Sequence, residues 1–312
     1  MNAVEGESLR PTRALHQIGS SPMRKSSVYL PEKLKQSLAG LAERSGHTEA
    51  ELIRKALERL IALEVFEIDG APVSVAPQRR GPVLIGVGLG PGDPGHVTQL
   101  AKDALSSADR VVAVSWTLQS VGRAEMIVRS THPLAPIERV VLDISGDAHA
   151  QRASLVEIST SIVAALDVGE VVALVTLGDP SLWSVFTDIA AEITERRPSV
   201  PVEMVPGITS YQALAAATGT TLARIGQTLM VVDGDVPAGA LEDPATTVVV
   251  YKGGRDANEL RARVSASGRI DGAVVGELLG LSGEHVEGLE SWPGGPLSYL
   301  ATVVVPAEGT RS

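Results

Sequence analysis

Residues Pro82–Gly95 read "PVLIGVGLGPGDPG", an apolar run that opens into five glycines and two prolines within Gly86–Gly95. Such a run followed by a glycine-rich exit is expected of a buried strand leading into a loop whose backbone a ligand can approach. Gly90, Gly92 and Gly95 have the G-x-G-x-x-G spacing of a dinucleotide site. The framing argues against that reading. The strand ends before Gly90, and Pro91 and Pro94 interrupt the loop. The next strand-like run, "VVAVSW", closes without the acid that a dinucleotide ribose requires. No Gly-Lys-Ser/Thr follows, so a P-loop is excluded as well.

Outward from this loop, residues 83–312 alternate strand-like and helical stretches. The strand-like runs include "RVVAVS", "EVVALVTL", "PVEMVPG", "TLMVVDG", "TTVVVYK", "GAVVGEL" and "SYLATVVVP". Helices are expected over 94–107, 150–167, 181–196, 209–218 and 255–267. The β-branched runs are continuous rather than alternating, as in strands covered on both faces of an α/β sheet. Pro198–Pro201 marks a boundary, giving subdomains 83–200 and 201–312.

Three further strand ends carry small, polar residues. "TLGDPSLWS" (Thr176–Ser184) predicts a helix opening at Pro180, with Asp179 as its N-cap. "VPGITSYQALAAATG" (Val205–Gly219) predicts an Ala-rich helix capped by Thr209 or Ser210. "VVVYKGGR" (Val248–Arg255) is a strand running into Gly-Gly and a basic residue. Ligands of open α/β sheets bind at such carboxyl ends.

In order and spacing, "GVGLGPGDP", "TLGDPSLWS", "VPGITS" and "VVVYKGGR" resemble the tetrapyrrole methylases, over about residues 83–306. The resemblance implies a two-subdomain α/β fold, that of the class III S-adenosylmethionine methyltransferases. It further implies S-adenosyl-L-methionine held between the subdomains, a tetrapyrrole (corrin precursor) substrate and a homodimer. By the family pattern Pro91, Leu177, Gly178, Asp179, Leu182, Thr209, Ser210, Lys252 and Leu278 bind the cofactor. Within the family, "GLGPGDP", "GDPSLWS" and "VSWTLQSVGRAEMIV" resemble the enzymes that methylate carbon 20 of precorrin-2 or cobalt-factor II. "PGITSYQALAAATGTTLARIGQ" also resembles the precorrin-6A synthases, which act at carbon 1. Sirohaem-branch enzymes commonly place Asp where this chain has Val114, which argues against that branch. Asp93 and Tyr211 are candidates for a proton acceptor; either could instead be purely structural, Asp93 as a helix cap. Arg123 and Arg255 could pair with the carboxylates of a tetrapyrrole, or simply be solvated. The six histidines show no metal-ligand spacing, and no metal is expected.

Ahead of this module, residues 1–23 have the composition of a disordered tail. The segment from Arg10 to Leu63 is basic, with ten Lys or Arg against five Glu, within a chain of net charge −10. Such asymmetry suggests two modules with different partners. Ser26–Leu30 is short and extended. Leu34, Leu38 and Leu41 follow at helical spacing, and Thr48 with Glu51 forms a capping box for a second helix. "SVYLP" and "GHTEAELIRKAL" resemble the ribbon-helix-helix family. That resemblance implies pairing of two copies, with Lys25, Ser27 and Tyr29 toward bases of operator DNA and His47 and Thr48 at a phosphate. A unit that only dimerises is the alternative. Residues 66–82 read as a linker. The chain of 312 residues has no cysteine. It also has no apolar run near the roughly 18 residues of a membrane span and no signal-peptide core. Those features fit a cytoplasmic location.

Overall fold

The computed structural model describes residues 30–45, 48–54, 56, 66–68, 71–73, 81–133, 135–251 and 256–309. The chain forms two compact units, Met1–Ala76 and Pro77–Ser312.

In the first unit α1 (Glu32–Ser45) follows Pro31, whose carbonyl accepts from Lys35 N at 3.0 Å. Leu34 and Leu41 are 40% and 46% exposed on it. Residues 49–54 are helical. The predicted capping box opens them: Thr48 Oγ1 accepts from Glu51 N at 3.2 Å, and the Glu51 carboxylate accepts from Thr48 N at 2.8 Å. The stretch predicted as linker contains a small antiparallel hairpin, β1 (Phe66–Ile68) against β2 (Ala71–Val73). Lys25, Ser27, Tyr29 and His47 lie outside the described residues.

The second unit holds two five-stranded sheets. The first comprises β3 (Val83–Gly88), β4 (Arg110–Ser115), β5 (Ile137–Val141), β6 (Val171–Thr176) and β7 (Val202–Val205). Its order is β5-β4-β6-β3-β7 and every pair is parallel. Val83, Ile85 and Val87 pack on one face with α2 (Gln99–Ser107) and α3 (Arg123–Thr131). Leu84 packs on the other with α4 (Ala148–Asp167) and α5 (Val185–Arg196). Burial on both faces accounts for the unbroken apolar runs. It also accounts for Gly86, where a Cβ would stand 2.6 Å from the buried Phe186 ring.

The second sheet is mixed, in the order β11-β10-β12-β9-β8. Its strands are β8 (Thr228–Asp233), β9 (Thr246–Tyr251), β10 (Val274–Glu277), β11 (His285–Gly288) and β12 (Thr302–Val305). β8 and β9 are parallel and the remaining pairs antiparallel. Val249 and Val304 meet Leu214 of α6 (Ser210–Thr218); Val248 and Val250 meet Val264 of α7 (Ala257–Ala266). Because β7 belongs to the first sheet, the chain passes between sheets at Pro206–Thr209, not at Pro198–Pro201 as proline content suggested.

Two local expectations change. Residues 94–107 are not one helix: a 3-10 turn at Pro94–His96 precedes α2, which Thr98 caps by accepting from Ala101 N at 3.1 Å. The helix after "TLGDPSLWS" opens at Val185, capped by Ser184, so Asp179 is not its cap.

Candidate functional site

The carboxyl ends of β3, β6 and β7 meet at one place, held by backbone. Leu89 N donates to Thr176 O at 3.0 Å, and Gly178 N donates to Gly90 O at 2.8 Å, making a bridge between the two loops. A Cβ on Gly207 would lie 2.0 Å from Gly178 O, and one on Gly88 2.6 Å from Gly207 N. Three chain segments touch here, and Gly88 and Gly207 have no room for a side chain, which is why glycine occupies those two positions.

The second sheet meets this cluster end to end. A Cβ on Gly92 would stand 2.3 Å from Leu279 O, and one on Gly280 2.2 Å from Asp93 N. The loop after β3 therefore lies directly on the turn after β10. Leu278 begins that turn with φ of +52°, and its carbonyl accepts from Leu281 N at 2.8 Å. Thr302 pairs with Tyr251 in register, so the start of β12 and the end of β9 face the same junction. Ser210 Oγ and Thr302 Oγ1 share a hydrogen bond at 2.7 Å, which docks the head of α6 there.

Asp179 is consumed by this architecture. Its carboxylate accepts from Gly207 N at 2.9 Å, from Ser181 N at 2.8 Å and from the Ser181 hydroxyl. Burial pushes its carboxyl up, yet the hydrogen bonds from Ser181 and Gly207 outweigh it and hold it below the usual carboxylate range. Thr209 caps α6 as expected: the Gln212 carboxamide oxygen accepts from its N–H at 2.9 Å and its hydroxyl at 2.8 Å.

The junction thus gathers Pro91, Asp93, Leu177, Gly178, Asp179, Leu182, Thr209, Ser210, Tyr211 and Leu278. Pro91 and Thr209 are buried; Leu177, Gly178, Asp179, Leu182, Ser210, Tyr211 and Leu278 are half-buried. Half-burial of aliphatic, hydroxyl and backbone groups suits a ligand with an apolar chain and several hydroxyls. Gly178, at φ +66°, faces open space where a Cβ would be. Asp93 is exposed and caps the 3-10 turn, accepting from Gly95 N at 2.7 Å. Arg123 is exposed at the first turn of α3, beyond the end of β4 and outside the central cluster. Lys252 and Arg255 lie outside the described residues. A hollow of about 30 Å³ beside Gly234 and Val250 flanks the β8/β9 end of the junction. A larger one, about 370 Å³ around Arg269 and Pro306, lies past the far end of β12.

Sequence reasoning missed three groups. Trp183 and Tyr251 stand inside quoted motifs but gain meaning only in space, with ring centroids 5.4 Å apart. Tyr211 meets Tyr251 edge-on at 5.9 Å. Glu125, 1% exposed, binds Arg129 (Nη2, 2.6 Å) and Arg139 (Nε, 2.6 Å). Arg139 also donates to Leu118 O, fixing the loop after β4. The four-residue spacing of Glu125 and Arg129 was readable; the contribution of Arg139 from β5 was not.

Fold and junction together define a two-lobed α/β protein whose strand ends converge on a shared, half-buried seam. The chain belongs to the Tetrapyrrole (Corrin/Porphyrin) Methylases, which it matches over residues 83–290. These are methyltransferases whose methyl donor is S-adenosylmethionine. It is 32% identical over 240 residues to the cobalamin biosynthesis protein CobIJ of Mycobacterium tuberculosis, covering 73% of this chain and 47% of that protein. The chain thus spans about half the length of that relative. It is 28% identical over 235 residues to the precorrin-2 C(20)-methyltransferase of a Sinorhizobium species, covering 72% of this chain and 94% of that one. Among solved structures, a cobalt precorrin-4 methyltransferase, CbiF, superposes with a TM-score of 0.55 at 19% identity, covering 75% and 98% of the two chains. Among the described residues, no helix is long and apolar enough to cross a membrane.

Proposed function

We propose that residues 83–306 catalyse methyl transfer from S-adenosylmethionine to a ring carbon of a corrin precursor, at carbon 20 of precorrin-2 or of its cobalt-bearing counterpart. The observation that carries this reading is the convergence of three strand-end motifs in backbone-to-backbone contact, with Tyr251 of the fourth reaching Trp183 by its ring, in a chain aligned over nearly the whole length of a precorrin-2 C(20)-methyltransferase.

S-adenosylmethionine supplies an activated methyl group on a sulfonium. The chain's part is to bind, orient and exclude water, since holding reacting atoms about 3–3.5 Å apart supplies much of the acceleration. Leu177, Gly178 and Leu182 offer the methionine and ribose parts a half-buried wall, and Asp179 keeps that wall in shape. Ser210, Thr209 and Leu278 line the opposite lobe, with Lys252 at the adenine side. Pro91 sets the loop between the lobes. We assign the single proton displaced from the ring to Asp93 or to Tyr211, whose neutral phenol can take it only by passing its own proton to water. Arg123 and Arg255 pair with the substrate's carboxylates.

The test is incubation of the full chain with methyl-labelled S-adenosylmethionine and a panel of corrin intermediates. Label at carbon 20 of precorrin-2 or cobalt-factor II is expected. Label at carbon 1 of a later intermediate would move the assignment to the precorrin-6A synthase type. Tight cofactor binding with no transfer to any intermediate would reduce the module to a ligand sensor.

For residues 24–65 we propose a ribbon-helix-helix head that pairs two copies and binds operator DNA. The half-exposed Leu34 and Leu41 on α1, and the capping box that opens a second helix at Thr48, support it. A salt-sensitive shift of DNA from the protein's own promoter is expected, because phosphate contacts release counterions. A dimer that shifts no DNA would leave the head a dimerisation device only.

A further inference from the structure

Aromatic residues are scarce in this chain, three Trp, four Tyr and two Phe. Three of these nine meet at the strand-end junction. Trp183 comes from the loop after β6, Tyr251 from the end of β9 and Tyr211 from α6. The Trp183–Tyr251 pair therefore spans the two lobes. Its rings are tilted by 52°, so neither covers the other's face fully. Trp183 remains 41% exposed.

The backbone at Trp183 is unusual as well. Among the described residues, the non-glycine positions with positive φ are Trp183, at +46°, and Leu278, at +52°. A bulky residue in this region is strained, and such strain persists where the surroundings over-determine it. Here one strained residue stands on each lobe, both at the junction. The restraints on the Trp183 loop are visible. Asp179 ties it to Gly207, and Ser184 Oγ donates to Thr176 Oγ1 at 3.1 Å while accepting from Phe186 N at 3.2 Å. The indole is thus projected toward the other lobe by a loop pinned on both sides. Glycine would relieve the strain; tryptophan keeps a flat, half-open surface there instead.

We propose that Trp183 is the stacking platform for the conjugated ring of the methyl acceptor, with Tyr251 bracing it from the opposite lobe. The inference rests on the tetrapyrrole reading above and deepens it by naming the residue that orients the ring. Neither residue exchanges a proton or a bond in this role. Trp183 touches the substrate, and Tyr251 acts through Trp183.

The experiment compares Trp183→Phe, Trp183→Ala and Trp183→Gly in the full chain. Binding of cobalt-factor II is followed by its absorption change, and binding of S-adenosylmethionine by calorimetry. Stacking on an aromatic side chain carries enough free energy that its loss should weaken ring binding roughly tenfold or more. That loss is expected for Trp183→Ala and Trp183→Gly, with Trp183→Phe restoring most of the affinity and the cofactor constant unchanged within about twofold in all three. The glycine variant removes ring and strain together and guards against misfolding, which thermal melting checks. Ring affinity unchanged in the glycine variant, or cofactor affinity falling in parallel with it, would overturn the proposal. Because the binding readout needs no turnover, a wild-type protein that binds the ring but transfers no methyl group would sink the catalytic reading and leave this one standing.

Discussion

The carboxylate of Asp179 accepts a hydrogen bond from the backbone N–H of Gly207 at 2.9 Å, so the loop leaving β6 is tied to the loop leaving β7. The residue between strand and helix is a tie between the ends of the two strands that flank β3, and the cofactor-binding surface proposed above would depend on it.

Asp179→Ala removes an acceptor used by Gly207 and twice by Ser181. Hydrogen bonds to a charged group contribute about 1.5–3 kcal/mol each at most, and their donors here keep partial access to water. A loss of about 2 kcal/mol and a marked fall in S-adenosylmethionine affinity are expected, measured by urea unfolding and calorimetry. Asp179→Asn keeps one acceptor oxygen and should lie between. The folded carboxyl is held below its unfolded value, so its stabilisation is present above about pH 4 and is lost as pH falls through the folded value. The alanine variant should show less acid sensitivity in that range than wild type.

Gly207→Ala brings a methyl group to 2.0 Å from the Gly178 carbonyl oxygen, a backbone atom in a bridged loop that cannot swing aside. Forcing a group into a packed site costs about 1–3 kcal/mol. At a few degrees per kcal/mol, a fall in Tm of about 5 °C or more is expected. Gly178→Ala is the control: its Cβ would enter open space, and only the left-handed backbone resists it, at about 1 kcal/mol. Equal Tm losses for the two would show that crowding is not what selects glycine at 207.

These glycines also show what sequence could and could not reveal. A run such as "GVGLGPGDPG" announces a backbone-exposing loop, because only a few structures need so many positions without a Cβ. Which atoms crowd each glycine depends on partners far along the chain, such as Gly207 against Gly88 and Leu279 against Gly92. The same limit misplaces Asp179. Asp-Pro locally implies a helix cap, while the carboxylate binds Ser181 two residues on and Gly207 28 residues away, and only the first of these is local. Proline content likewise suggested a boundary at Pro198–Pro201, but the pairing of β7 with β3, a long-range contact, decides where the first sheet ends. Local signals were legible where the cause is local: the capping box at Thr48 and Glu51, the cap at Thr209 and the buried strands.

Glu125 is a second acid-labile element. Hydrogen bonds from Arg139 lower its carboxyl, burial opposes them, and Arg129 adds to the lowering. Its folded value is depressed, so its contribution is present above about pH 4.3 and disappears as pH falls through the folded value. Glu125→Gln leaves Arg139 without its charge partner on a half-buried face. Breaking one side of a buried ion pair costs about 3–5 kcal/mol; with Arg129 half exposed, about 3 kcal/mol is expected by urea unfolding. The loop around Leu118 should exchange amide hydrogens faster, since Arg139 holds its carbonyl. Undisturbed exchange at that loop would show that Arg139 is fixed by something other than Glu125.

Tyr251 responds to alkali in the opposite sense. Burial pushes its phenol up, against lowering contacts from Ser210, Thr209 and the Tyr211 backbone. The folded value is raised, so any stability the group contributes is fully present below about pH 10 and is lost as pH rises through the folded value. Ultraviolet titration of the folded protein should show one tyrosine ionising later than the others. Tyr251→Phe should remove that late step and leave ring packing against Trp183 intact, because the contact is through the ring and not the hydroxyl. Persistence of a late-ionising tyrosine in this variant would assign the buried phenol elsewhere. Loss of the hydroxyl should also loosen the head of α6, where Ser210 and Thr209 lie against it. A modest Tm drop, from a hydrogen-bond loss of about 1 kcal/mol, is expected alongside the spectroscopic change.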